Sequence, residues 1–174
     1  FFIVPKDSTI LVSEETIRQA ILAASPDISA VPVSRTGLDS LYVNALPRVE
    51  AFAWCGGALA SSTDSCYEAD AEGYVFLPIV RGDASSSPLV PAGTLKIYAP
   101  LVDDATTSPI RSTVSDAAII PDTLRFVRAI QALGANVDSL QLHDDEGDVY
   151  LVSGTRVTYI AGHEQAAADL AAPA

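Results

Sequence analysis

Between Trp54 and Phe76 the chain reads WCGGALASSTDSCYEADAEGYVF, a stretch that holds both cysteines and the only tryptophan. Cys55 and Cys66 bracket a Gly/Ser/Thr-rich run without hydrophobic periodicity, so the run itself specifies neither helix nor strand. A disulfide is the expected pin for such a loop. Closing it stabilises the fold by about 3 kcal/mol in the chain-entropy model. Two reduced thiols, or a zinc site shared with His143 and His163, are the alternatives; the histidines fall on separate elements and no Cys-x-x-Cys spacing occurs. After Cys66, Asp70 and Gly73 suit the first and last positions of a type I turn, flanked by the strand-forming aromatics Tyr67, Tyr74 and Phe76. That pattern predicts a hairpin, with the aromatics packing on a sheet face and Trp54 packing against the disulfide.

On either side of this stretch the chain reads as short strands with two helices. Phe1 to Val4, stopped by Pro5, suits an edge strand. Ser13 is a good N-cap, Glu14 and Glu15 complement the helix dipole, and Ile17, Ile21 and Ala24 share a face with Leu22 beside them. Ser25-Pro26 ends that helix. Val31 to Val33 and Leu41 to Val43 read as strands, the first confined to an edge by Pro32. A strand from Val49 to Trp54 leads into the central stretch, and Leu95 to Tyr98 forms another. Residues 83–91 and 103–115 are loops by composition. A second helix opens at Pro121 or Asp122, shows Phe126, Ile130 and Leu133 on one face, and ends at Gly134. Strands around Leu140–Leu142, Val149–Val152 and Arg156–Ile160 then form a meander, followed by an Ala-rich helix from His163.

Three passages carry a family likeness: Leu41-Tyr42-Val43; Arg48 through Ala51 to Trp54-Cys55; and Cys66-Tyr67 followed by Asp70-x-x-Gly73-x-x-Phe76. Together they resemble the FtsQ/DivIB family of bacterial cell-division proteins, the last at its centre and the first two at the passage into its β domain, while Ile10 to Arg35 resembles the helix and following strand of its POTRA domain. The resemblance implies an α+β chain: a small POTRA-like domain over residues 1–48, then a β domain over 49–174 with a mixed or antiparallel sheet and flanking helices. POTRA domains of the family have two helices and three strands, so residues 1–48 leave one element abbreviated or upstream of Phe1. Family members also continue past the late helix into a last strand, which the β domain here would lack. The implied setting is the extracytoplasmic face of the cell membrane at the division septum, with an anchor helix upstream of this chain.

Composition sets further bounds. The chain has 174 residues, 49% of them hydrophobic, enough for a sizeable core. Ten basic residues against 22 acidic leave a net charge of −12, without the clustered Lys and Arg of a nucleic-acid footprint. No apolar run is long enough to span a bilayer.

Catalytic patterns are incomplete. His163-Glu164 resembles the start of a zinc-protease helix, but Ala167 stands where the second histidine belongs. Neither a Gly-x-Ser-x-Gly elbow nor a phosphate-binding glycine loop occurs. The run Asp144 to Asp148 lacks the alternating ligands of a calcium loop and reads as a solvated hairpin tip. Arg81-Gly82-Asp83, a tripeptide of some adhesion ligands, falls in a loop. The expectation is a non-enzymatic chain without cofactor or metal. The resemblance implies a scaffold that binds FtsB/FtsL-like membrane-anchored division proteins by strand addition and helps organise septal peptidoglycan synthesis. The meander is then the place for contacts, with Tyr150, Arg156, Val157, Tyr159 and Ile160 as candidates. The rival reading is a secreted or surface-attached, disulfide-stabilised binding or adhesion domain; an uncharacterised enzyme comes third.

Overall fold

Local signals in this sequence are realised in a computed structural model that describes residues 13–36, 40–59, 65–79, 90, 93–102, 108–115, 117–143 and 146–160, with only the backbone described for Tyr159 and Ile160. The chain divides into two compact units, Phe1–Arg48 and Val49–Ala174. The expected edge strand at Phe1–Val4, the Arg81-Gly82-Asp83 loop and the helix from His163 lie outside the described residues.

In the first unit, helix α1 spans Glu14–Ala24. Ser13 holds the N-cap position with extended backbone, but its hydroxyl makes no capping hydrogen bond, so the favourable terms there are Glu14 and Glu15 against the helix dipole. The Ser25 N–H donates to Ile21 O at 2.9 Å and closes the last turn before Pro26. Ile17, Ile21 and Leu22 are half-buried and no α1 residue is fully buried. After α1 comes one bent hairpin: β1 (Ile28–Ala30) pairs antiparallel with β4 (Leu46–Pro47), and β2 (Val33–Arg35) pairs antiparallel with β3 (Leu41–Val43). The expected strand over Val31–Val33 is corrected here. Val31 and Pro32 form the break between β1 and β2, because Pro32 has no N–H for a ladder, while its carbonyl accepts from Asn44 N at 3.0 Å. Val31 is nonetheless buried.

The second unit is built on β5 (Phe52–Trp54), β6 (Tyr67–Ala69), β7 (Val75–Pro78), β8 (Lys96–Tyr98), α2 (Ile120–Ala132), β9 (Val137–His143), β10 (Glu146–Leu151) and β11 (Arg156–Ile160). These strands form one seven-stranded sheet in the order β11-β10-β9-β8-β5-β6-β7. β5 with β8 and β8 with β9 are parallel, the other pairs antiparallel, so the class is α+β with a mixed sheet and, among the described residues, two α-helices, one in each unit. A parallel pair needs a crossover, and α2 supplies it between β8 and β9.

Turn chemistry acts as its residues dictate. Gly73 N donates to Asp70 O at 3.0 Å, and the buried Asp70 carboxylate accepts from the backbone N–H groups of Glu72 and Tyr74 at 3.1 and 3.0 Å. Gly73 has φ +80, and a Cβ there would stand 3.3 Å from that of Ala117. Gly134 follows α2 at φ +91, where the Ala135 N–H reaches back to Ile130 O.

Helix α2 starts one residue before the expected Pro121, at Ile120, and its buried residues are Ile120, Thr123, Leu124 and Val127. This 0, 3, 4, 7 spacing is the core stripe. Phe126 is half-buried at its edge, and Leu133 is 67% exposed, so the face expected from Phe126, Ile130 and Leu133 lies beside the one that packs. α2 covers one side of the sheet, where Phe52, Trp54, Ile97, Leu140 and Val149 form the main core with Ile120, Leu124 and Val127. The other side carries a smaller cluster of Ala53, Cys55, Cys66 and Tyr98. Cys55 and Cys66 are joined by a disulfide, and Leu59 N, in the loop they close, donates to Gln141 Oε1 at 3.4 Å on β9.

The expected packing of Trp54 on this disulfide is corrected by the same division. Successive strand residues point to opposite faces, so Trp54 enters the α2 side while Cys55 enters the other. Trp54 Nε1 donates to Ala99 O at 2.8 Å, and its ring lies 6.0 Å from that of Tyr67.

Candidate functional site

The two sheet edges differ. Along β7, Val75 N donates to Ser112 O at 2.9 Å, Arg111 N to Val75 O at 2.8 Å, and Val114 N to Gly73 O at 2.9 Å; Pro78 offers no donor. This edge is covered by the 111–114 segment and blunted by proline. At the opposite end, β11 pairs with β10 in a continuous register from Tyr150–Arg156 to Glu146–Ile160. No second strand pairs with β11 among the described residues.

Which β11 groups face outward follows from the turn. Leu151 N donates to Thr155 O at 2.9 Å, so Leu151 and Thr155 form a hydrogen-bonded pair. Such pairs alternate along an antiparallel ladder, which turns the backbone groups of Val157 and Tyr159 toward β10 and those of Arg156, Thr158 and Ile160 outward.

The candidate contact residues separate by face. Val157, opposite Val149, packs against the main core. Tyr150 and Arg156 are cross-strand neighbours on the other face. There Arg156, its side chain 61% exposed, reaches Asp148 Oδ2 at 3.4 Å, and the Thr158 hydroxyl donates to Asp148 Oδ1. Asp148 is buried within β10, so this residue of the acidic run is a strand member and not part of a solvated tip; Asp144 and Asp145 lie outside the described residues. Tyr159 and Ile160 extend β11 opposite Gly147 and Glu146.

A second feature escapes the sequence reading. A cleft of about 230 Å³ lies between α2 and the segments entering β5 and β8, lined by Glu50, Ala51, Leu95, Leu124, Val127 and Arg128 among others. Glu50 Oε1 is buried with no hydrogen-bond partner among the described residues. Burial, and secondarily the Glu68 carboxylate, push the Glu50 carboxyl above its ordinary value. Its only sequence signal is an acid two residues before a strand whose first residue is core, which is too common a pattern to single out. Through Gly93, Thr94, Leu95 and Gln131 the cleft continues into a shallower one of about 530 Å³, where Lys96 and Asp138 pair at 3.3 Å.

Among the described residues no group of three or more His, Cys, Asp or Glu side chains is placed to hold a metal ion, and no helix is long and apolar enough to cross a membrane. Compared with known proteins, the chain matches no family model and no curated protein.

Proposed function

We propose that this chain is a non-enzymatic scaffold that receives an extended segment of a partner protein on the outer edge of β11. One observation carries the reading: among the described residues β11 ends the seven-stranded sheet with three residues, Arg156, Thr158 and Ile160, whose backbone groups face away from β10. An incoming strand completes those N–H and C=O groups, and side chains beside the edge set its specificity. Tyr150 and Arg156 supply an aromatic ring and a largely exposed cation there, with Tyr159 and Ile160 continuing the strand.

The setting is proposed from the resemblance to the FtsQ/DivIB family. Under that reading residues 1–48 are a reduced POTRA-like domain, the partners are FtsB/FtsL-like membrane-anchored division proteins, and the site of action is the extracytoplasmic face at the septum. The Cys55–Cys66 disulfide supports an oxidising compartment.

The test is localisation of a fluorescent fusion of the complete gene product in its host, beside a Thr158→Pro version. Proline at Thr158 removes an outward N–H and leaves the β10 ladder its donors; Thr158→Ala controls for the hydroxyl. A midcell band that Thr158→Pro abolishes and Thr158→Ala keeps is the expected result. Uniform envelope staining or release into the medium overturns the division setting in favour of the secreted binding domain. A band unaffected by Thr158→Pro overturns the β11 edge as the attachment point.

A further inference from the structure

We infer that the outer edge of β11 also pairs with the β11 edge of a second copy of this chain, antiparallel about a two-fold axis at Thr158, and that this self-pairing closes the edge until a partner strand displaces it. The inference rests on the same open edge as the strand-addition reading and names what occupies it when no partner is bound. β11 carries none of the devices that blunt a sheet edge. Its five residues, Arg-Val-Thr-Tyr-Ile, include no proline or glycine and pair with β10 without a bulge. Arg156 and Thr158, whose backbone groups turn outward, are both exposed.

The register makes this edge complementary to itself. Outward backbone groups occur at Arg156, Thr158 and Ile160, spaced evenly about Thr158. Antiparallel pairing centred there sets Thr158 against its own copy and Arg156 against the copy's Ile160, so all three residues exchange N–H and C=O groups across the two-fold. A slip of two residues leaves one of the three without a partner in β11. The centred register joins the two seven-stranded sheets into one.

Charge favours a second copy as the occupant. On the face opposite α2, Arg156 stands at the first position of β11, and the exposed Glu146 stands on β10 opposite the last, Ile160. The edge is therefore positive at one end and negative at the other. Antiparallel self-pairing brings Arg156 into the same cross-strand row as the copy's Glu146, two strand spacings or about 10 Å apart at the backbone, within reach of two long side chains. The two-fold makes this pair twice. An unrelated strand has to supply both charges at that spacing; a second copy supplies them by symmetry.

Sedimentation of the full chain from about 10 μM to about 1 mM tests this, because an interface of one strand edge is small and its dimer weak. A dimer is expected, and Thr158→Pro, which removes the central outward N–H and leaves the β10 ladder its donors, is expected to abolish it. Arg156→Glu sets acid against acid across the two-fold, and Glu146→Arg sets base against base; each alone is expected to dimerise about tenfold more weakly than the parent. Mixed one to one, these two variants regain both opposite-charge pairs and are expected to associate as strongly as the parent. Arg156→Gln, which adds no acid beside Asp148, checks the first variant and is expected to weaken the dimer by a smaller factor. A chain that stays monomeric, association untouched by Thr158→Pro, or a mixture no stronger than its components each overturns the self-pairing. These outcomes are read on purified chain and the partner reading on the midcell band, so either can fail while the other stands.

Discussion

Trp54 and Cys55 are consecutive residues that belong to different cores: the indole packs under α2 and donates to Ala99 O, while the cysteine lies across the sheet in a disulfide with Cys66. The two therefore stabilise the fold by separate means. Trp54→Phe loses the hydrogen bond and part of the ring volume, an expected loss of about 1 to 3 kcal/mol. Cys55→Ala with Cys66→Ala is expected to cost about 3 kcal/mol. Urea unfolding of the triple variant should give the sum within about 0.5 kcal/mol. A larger coupling would place the indole on the disulfide after all.

The β6–β7 turn rests on one carboxylate. Asp70→Ala strips the N–H groups of Glu72 and Tyr74 of their charged acceptor and is expected to destabilise by about 1 to 3 kcal/mol, with Asp70→Asn losing less because an amide oxygen still accepts. Gly73→Ala forces a Cβ into a positive φ against Ala117, at an expected cost of about 1 to 2 kcal/mol. Thermal or urea unfolding of the three variants checks the order.

Glu50 makes stability depend on pH in the less common direction. The folded state holds its carboxyl above the ordinary 4.5, so it binds more protons than the unfolded chain in that window. Stability contributed at this site is therefore present below 4.5 and lost as pH rises through the raised value. The groups facing it are Glu68 from β6, which adds to the effect, and Arg128 from α2, which lines the cleft without relieving Oε1. Glu50→Gln is expected to be more stable than the parent at pH 7, with the gap closing below pH 4.5. Denaturant midpoints across pH 3 to 8 measure it; a parent stabilised relative to Glu50→Gln at pH 7 contradicts the assignment.

Asp148 and Arg156 form an unequal pair, their side chains 12% and 61% exposed. Screening by water keeps Arg156→Ala within about 1 kcal/mol of the parent. Asp148→Leu removes the charge from a buried position but leaves Thr158 and Arg156 without their acceptor, at an expected cost of about 1 to 2 kcal/mol. The asymmetry leaves Arg156 free to be changed in binding experiments without unfolding the edge it stands on.

What the chain's own sequence determined is everything decided within a few residues. Ser25-Pro26 stops α1, Asp70 and Gly73 turn β6 into β7, Gly154 turns β10 into β11, and Gly134 ends α2, because each depends on a φ that glycine permits or a donor that proline lacks. Cys55 and Cys66 were legible as a pair for the same reason, being close along the chain with only a flexible loop between. The position of Ile120 as the first core residue of α2 was not, since Pro121 reads as the start of a helix whether or not the residue before it is buried.

Only the tertiary structure decided which strands meet. β8 lies between β5 and β9, and both of its pairings are parallel and distant in sequence, so no turn chemistry announces them. That placement turns Trp54 and Cys55 to opposite sides, buries Ser139 and Asp148, leaves the β11 edge unpaired among the described residues, and brings Glu50 up against α2. Each of these is a relation between segments brought together by burial of a shared core, and burial is a property of the assembled sheet that no single segment contains.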